Sequence, residues 1–117
     1  MRLDTYSKQK YASVLGKAAG KGGWEWFQRL LQALRGVGDA HGGASIANVA
    51  TRWVLDHDAV GSVILGARNA SNVDEHRRLF ALPRLTDADR AAIDAVLADG
   101  VQPKADTYQW ERGGGVF

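Results

Sequence analysis

Apolar residues recur at helical spacing in several stretches of the chain, which predicts a series of amphipathic helices. The first helix begins near Trp24 and carries one apolar stripe at spacings of 3, 3, 1, 3 and 3, made of Trp24, Phe27, Leu30, Leu31, Leu34 and Val37. Gly36 and Gly38 weaken its last turn, and residues 41–43 end it. The second helix has Ser45 as its N-cap and apolar residues at i, i+3, i+4, i+7 and i+8, namely Ile46, Val49, Ala50, Trp53 and Val54.

Two further helices are predicted in the second half of the chain. A turn over residues 67–71 leads into a helix that continues to about Phe80, and Pro83 breaks the pattern after it. The last helix begins with Thr86 as N-cap and Asp89 three residues later, which is close to a capping box, and it ends near residue 100. Its apolar face consists of Ile93, Val96 and Leu97.

A short apolar run between the second and third helices has a different pattern. Residues 60–66, Val-Gly-Ser-Val-Ile-Leu-Gly, predict a strand over about 62–65 that is buried on both faces. A single strand cannot form a sheet, because each buried backbone group without a partner costs about 1 to 3 kcal/mol. The partner strands therefore lie outside this chain, or the strand pairs with a copy of itself, or the segment is not a strand in the isolated protein.

The composition limits what such a chain can be. Its 117 residues are too few for a complete eight-fold β/α barrel, which needs at least about 200. The absence of Cys excludes disulfides, thiol catalysis and thiolate metal sites. A net charge of +2 argues against nucleic acid as a partner, and no apolar run is long enough for a membrane span. We therefore expect a cytoplasmic protein that binds neither nucleic acid nor membrane.

Shifts in composition divide the chain into three parts. Residues 1–23 are polar and end in Gly-Lys-Gly-Gly, which predicts a flexible segment. Residues 24–100 contain the predicted helices and strand. Residues 101–117 include Gly-Gly-Gly and are expected to form a loosely held tail.

The turn that follows the predicted strand has the most specific chemistry. Gly66 lets a ligand approach the backbone, Arg68 offers a planar set of N–H donors, and the start of the next helix adds free amides and the positive end of the helix dipole. Together these groups suit a phosphate. Asn72, Glu75 and His76 share one helix face above the turn, where they can hydrogen-bond a base or a ribose.

The polar and aromatic residues allow other interpretations, some of which stay open and some of which have weaker support. The same turn also fits an ordinary solvated helix start with Ser71 as its cap. The three histidines lie on different elements, so we expect no metal site from them. No tyrosine has a Lys and an Asp placed to activate it, so no catalytic residue is assigned. Trp24 and Phe27 fit the core face of the first helix.

Three segments of the chain resemble the C-terminal quarter of the aldo/keto reductase family. They are residues 45–56 (Ser-Ile-Ala-Asn-Val-Ala-Thr-Arg-Trp-Val-Leu-Asp), residues 60–69 (Val-Gly-Ser-Val-Ile-Leu-Gly-Ala-Arg-Asn) and residues 72–76 (Asn-Val-Asp-Glu-His), and the helix that begins at residues 85–86 follows them. The agreement covers roughly residues 43–100. It implies an α/β fold, namely an incomplete C-terminal part of a (β/α)8 TIM barrel, mostly helical, with one short strand.

The resemblance also implies an activity, the NADPH-linked reduction of aldehydes and ketones. In the family, the turn after the eighth strand and the next helix hold the 2'-phosphate and adenine of the cofactor, and the matching positions here are Gly66, Arg68, Asn72, Glu75 and His76. His76 departs from the pattern, since the family commonly has Asn there. The family's catalytic Asp, Tyr, Lys and His lie in earlier strands, whose motifs nothing in this sequence matches.

These observations lead to one expectation and one alternative. We expect a truncated or separately encoded portion of an oxidoreductase, which contributes part of a site for NADPH and, with the barrel completed, acts on a carbonyl substrate. Alone, such a portion is expected to be inactive. The resemblance also implies another role for the aromatic cluster of Trp24, Trp26 and Phe27, which would line the substrate entrance instead of facing a core. The alternative is a non-enzymatic helical module that associates with itself or with another chain through uncovered apolar faces.

Overall fold

Helices account for the regular structure in the part of the chain that is described. A computed structural model describes residues 8, 9, 11, 12, 15, 23–67 and 69–101. Its main elements are helices α1 (Gly23–Ala40), α2 (Ile46–Leu55), α3 (Ala70–Arg78) and α4 (Asp87–Ala98), and a single 3₁₀ turn (Leu79–Ala81) that directly follows α3. The predicted order of helices and their predominance are confirmed.

The chain divides into two compact units. One comprises Met1–Gln28 together with Ala98–Phe117, and the other comprises Arg29–Leu97. The predicted flexible segment at residues 1–23 and the predicted tail at residues 101–117 fall mostly outside the described residues, so both stay predictions. None of the described helices combines the length and the apolar composition that crossing a bilayer requires.

The apolar stripe predicted for α1 is confirmed toward the end of the helix and wrong at its start. Leu34 and Val37 are buried, but Trp24 is 55% exposed, with its ring centroid 5.9 Å from that of Phe27. Trp26 is the buried aromatic residue at this end, at 9% exposure. Trp26 and Val37 are separated by about three full helical turns and share a face, whereas Trp24 lies nearly opposite. The stripe therefore runs through Trp26 instead of Trp24.

Glycine is required at three positions where α1 ends. Gly42 and Gly43 have φ values of 68° and 78°, in the left-handed region that other residues rarely adopt. A Cβ on Gly38 would overlap the carbonyl oxygen of Ala44. The Gly38 carbonyl accepts hydrogen bonds from the amides of Gly43 and Ala44 at 2.9 and 3.0 Å. Gly38 is thus more than a weak point in the last turn, because the loop folds back against it.

The core of the unit Arg29–Leu97 is built by apolar residues of α1, α2, α4 and the loop before α4. Its buried members are Leu34, Val37, Val49, Leu82, Leu85 and Ile93. Val49 and Ile93 are the two most completely buried large side chains. Their burial confirms the predicted apolar faces of α2 and α4.

The predicted caps of α2 and α4 are both present. Ser45 Oγ accepts a hydrogen bond from the amide of Asn48 at 3.1 Å. At α4, the amide of Thr86 donates to the Asp89 carboxylate at 2.9 Å, and the amide of Asp89 donates to Thr86 Oγ1 at 3.1 Å. This reciprocal pair is a capping box, closed by Asp in place of the more usual Glu.

Residues 60–67 do not form the predicted strand. Within the described part of the chain no residue is in a strand, and residues 61–67 make no backbone–backbone hydrogen bond. Ile64, which was expected to be buried, is 99% exposed. The strand prediction over 62–65 is therefore wrong for this chain. An isolated apolar segment cannot pair its backbone without a neighbouring strand, and the described residues provide none.

Candidate functional site

Helix α3 begins directly after the turn that the sequence marks as a phosphate site. Its N-cap is Asn69, whose Oδ1 accepts a hydrogen bond from the amide of Asn72 at 3.2 Å. Ser71 Oγ donates to the same oxygen at 2.6 Å, so Asn69, and not Ser71, is the cap. Asn and Ser cap helices about equally well, and the composition of this stretch does not distinguish them. The amides of Ala70 and Ser71 have no hydrogen-bond partner among the described residues.

Asn72, Glu75 and His76 lie on one face of α3, as predicted. All three are half-buried, and Leu79, which continues the same row, is buried. Val73, on another side of the helix, is exposed. The polar row therefore borders the packed side of α3 and is only partly open to solvent.

Glu75 connects α3 to α2 through its backbone. Its carbonyl oxygen accepts a hydrogen bond of 3.0 Å from Nδ2 of Asn48, which is buried. Its carboxylate lies 3.9 Å from the exposed guanidinium of Arg78. A cavity of about 280 Å³ opens beside these residues, between α3 and the loop that precedes α2. Glu75 thus lines an accessible space.

His76 contacts the candidate turn directly. Its Nε2 lies 2.9 Å from the carbonyl oxygen of Gly66, ten residues earlier in the chain. Because a carbonyl oxygen only accepts hydrogen bonds, Nε2 is the donor in this pair. The fold therefore places two of the five predicted positions, Gly66 and His76, in direct contact.

Gly66 faces open space. No described atom lies within 4 Å of the place where a Cβ would stand, and its φ is not in the left-handed region. Neither the conformation nor the packing of the described residues requires glycine at this position. Arg68, the predicted charge partner of a phosphate, lies outside the described residues.

Asp56, which the sequence interpretation did not single out, forms a buried polar centre at the end of α2. Its fully buried carboxylate accepts hydrogen bonds from Nε of Arg52 at 2.9 Å and from the amide of Leu85 at 2.7 Å. Arg84 donates to its backbone carbonyl at 3.1 Å. Burial raises the pKa of Asp56, but these hydrogen bonds and the two guanidinium charges together lower it below the ordinary value. The four-residue spacing to Arg52 was visible in the sequence, whereas the contact with Leu85 was not.

A second buried carboxylate contact, a hydrogen bond between side chains, joins the loop after α1 to the start of α4. His41 Nε2 lies 2.8 Å from Oδ2 of Asp89, and both side chains are mostly buried. Burial raises the pKa of Asp89, but hydrogen bonds from the Thr86 hydroxyl and from His41 lower it below the ordinary value.

In the part of the chain that is described, no group of three or more His, Asp or Glu side chains could hold a metal ion.

Comparison with known proteins identifies the family. The family model described as "Aldo/keto reductase family" matches residues 2–98, a longer stretch than the sequence resemblance covers and one that includes most of residues 1–23. Neither a curated protein nor a solved structure matches the chain. Proteins of this family fold as TIM barrels and generally use NAD(P)H. Since the match covers most of its length, the chain belongs to the aldo/keto reductase family.

Proposed function

We propose that the turn at residues 66–69 and the first turns of α3 bind the adenosine 2'-phosphate and adenine of NADPH, in an oxidoreductase that reduces aldehydes or ketones. Residues 24–100 are, in this proposal, the C-terminal segment of a (β/α)8 barrel. The observation that carries it is the family match over residues 2–98, combined with an open Gly66 just before a capped helix.

The backbone and the charge at the turn have the chemistry to hold a phosphate. The amides of Ala70 and Ser71 are unpaired among the described residues, and the start of a helix favours an anion. The open space beside Gly66 would admit a phosphate oxygen close to the backbone. Arg68 contributes a full positive charge and two parallel N–H donors. This donor set fits the phosphate end of the cofactor.

The polar row on α3 supports the adenine and ribose part of the proposal. The side-chain amide of Asn72 makes no hydrogen bond to a described residue, so its donor and acceptor are both available. Glu75 lines an open cavity and carries two acceptor oxygens, and His76 lies on the same face. Asn72 and Glu75 are therefore the side chains that we assign to the adenosine.

The assigned residues bind and orient the cofactor and do not carry out the chemistry. When bound, NADPH supplies the hydride. Because no motif in this chain matches the family's catalytic Asp, Tyr, Lys and His, we propose that the chain alone does not reduce carbonyl compounds. An aldehyde-reductase assay tests this directly. Turnover by the purified chain that a substitution within the chain abolishes would overturn it.

Titration calorimetry with NADPH and with NADH tests the binding proposal. We expect Arg68→Ala to weaken NADPH binding by about ten- to a hundredfold, because an Arg–phosphate hydrogen bond contributes roughly 1.5 to 3 kcal/mol. Binding of NADH, which lacks the 2'-phosphate, should not change.

The matched control is Arg77→Ala. Arg77 is an exposed arginine in the last turn of the same helix, so its removal changes the net charge equally but leaves the turn intact. Equal affinity for NADPH and NADH, or equal losses in the two variants, would contradict the proposal.

A second candidate function is association through the unpaired segment at residues 61–65. One observation favours it: Ile64 is almost fully exposed in a segment whose backbone pairs with none of the described residues. An exposed, uncharged apolar segment with free N–H and C=O groups can pair with another chain. The partner in this alternative is a second copy, since the segment carries no charge that would repel an identical strand.

Sedimentation analysis of the mass in solution tests this second candidate. We expect Ile64→Lys to convert a dimer to a monomer, because it places two like charges across the paired segments. Val73→Lys, a change at an exposed apolar residue of α3, should leave the dimer intact. A monomeric wild-type chain would eliminate this candidate.

A further inference from the structure

The hydrogen bond between His76 and Gly66 has an unusual place in the molecule. Among the described residues, it is the one hydrogen bond that any of residues 61–67 makes. The preceding contact along the chain is that between the Val60 amide and the His57 carbonyl, at 2.9 Å. His76 thus supplies the one described hydrogen bond between this segment and α3.

This bond settles how the Gly66 carbonyl is used. Its oxygen accepts a hydrogen bond from an imidazole N–H, which offsets the partial negative charge of the oxygen. The carbonyl therefore repels an incoming anion less than it would without the bond. The bond also restrains the backbone at Gly66, two residues before Arg68 and three before the Asn69 cap. A turn that is restrained before binding loses less conformational freedom when a ligand binds.

We propose that His76 is a positioning residue of the NADPH site, one that holds the turn at Gly66 through its Nε2–H instead of contacting adenine itself. This inference rests on the proposed function above. In this inference the imidazole bonds to the protein's own backbone, because Nε2 already donates its hydrogen bond to the Gly66 carbonyl.

Three substitutions at this position separate positioning from direct contact. Gln extends its amide N–H to about the position of Nε2, so His76→Gln retains the bond to Gly66. Asn is shorter and cannot span the distance, yet it still offers an amide to a base. We expect His76→Asn and His76→Ala to weaken binding of adenosine 2'-monophosphate by about three- to tenfold, the range expected for loss of one neutral hydrogen bond. His76→Gln should stay within about twofold of wild type.

Direct adenine recognition predicts a different order. In that case His76→Asn would bind as well as the wild type or better, and only His76→Ala would lose affinity. That result overturns the positioning role. Thermal unfolding of each variant, followed by circular dichroism, verifies that the affinities compare folded proteins.

NMR of the histidine ring nitrogens in the ligand-free chain provides a readout that does not depend on the cofactor. We expect the neutral His76 ring to carry its proton on Nε2. A proton on Nδ1 would overturn the inference whether or not NADPH binds. A proton on Nε2 together with no binding of NADPH or adenosine 2'-monophosphate would instead refute the proposed function, and the positioning role in that function with it.

Discussion

Two neighbouring regions of the same compact unit reverse the usual relation between polarity and burial. At the end of α2 the carboxylate of Asp56 is fully buried, whereas eight residues later the side chain of Ile64 is almost fully exposed. Asp56 has its partners within the described chain, in Arg52 and Leu85. To the described residues, the segment 61–67 makes a single hydrogen bond, from His76 to Gly66.

The comparison shows that burial depends on available partners as much as on polarity. A carboxylate can be buried when hydrogen bonds and an opposite charge offset its desolvation. An apolar segment cannot enter a core when its own backbone groups would be left unpaired there. Four predictions test this difference, in order of decreasing effect on stability.

The largest expected effect comes from the same substitution at two isoleucines. Ile93→Ala should lower the free energy of unfolding by roughly 2 to 5 kcal/mol, because it leaves a cavity in the core. Ile64→Ala should change it by less than about 0.5 kcal/mol, because the side chain loses no contacts. Urea unfolding followed by circular dichroism measures both. Similar losses would mean that Ile64 is packed in solution.

A second pair of substitutions tests the buried carboxylate. Asp56→Ala should cost about 3 kcal/mol, because it leaves the Leu85 amide unpaired and Arg52 without its partner. Asp58→Ala removes a fully exposed carboxylate and should cost less than about 0.5 kcal/mol. Urea unfolding followed by circular dichroism measures the free energy of unfolding of both variants. If the two variants are equally stable, the network around Asp56 does not stabilise the fold.

Acidification should weaken the interactions of both buried carboxylates, those of Asp56 and Asp89. The pKa values of Asp56 and Asp89 lie below their ordinary value of 3.8 in the folded protein. Their stabilisation is therefore complete above the unfolded pKa and is lost as the pH falls through the folded pKa. We expect the free energy of unfolding to decline below about pH 4.

The pH dependence can be assigned with two variants. Asp89→Asn should reduce the decline, since it removes one of the two carboxyl groups. Ile93→Val destabilises the core but retains both carboxyl groups, so it should leave the decline unchanged. Thermal unfolding at a series of pH values measures this. An unchanged decline in Asp89→Asn would exclude a contribution from that pair.

The smallest expected effect on stability is that of Gly66→Ala. Because a Cβ there meets no described atom and the φ is not left-handed, we expect a change within about 0.5 kcal/mol. Binding of NADPH should nevertheless weaken in calorimetry, because the methyl group would occupy the space assigned to the phosphate. A variant that is as stable as the wild type and binds NADPH equally well would argue against that space as the phosphate site.

The sequence predicts well those features that depend on neighbours along the chain. The Ser45 cap and the Thr86–Asp89 capping box lie within four residues, so local spacing is enough to identify them. The apolar periods of α2 and α4 place Val49 and Ile93 in the core. The polar row of Asn72, Glu75 and His76 follows from the helical period in the same way.

The same reasoning fails where a distant residue, or a missing one, decides the outcome. The error at α1 is different, because the helical period already places Trp26 on the face of Val37 and Trp24 nearly opposite, and the predicted stripe did not follow it. The contact between Leu85 and Asp56 joins positions 29 residues apart. The prediction of a strand at 62–65 presumes a sheet that the described residues do not contain.

The sequence by itself determined the helices, the caps of α2 and α4 and the family, because each is encoded in local spacing or in a run of residue types. The tertiary structure alone decided that Asp56 is buried, that Ile64 is exposed and that His76 holds Gly66. These outcomes depend on which backbone and side-chain groups meet across the fold. A hydrogen bond or a buried contact needs two groups that are often distant in the sequence, and only the folded chain brings those groups together.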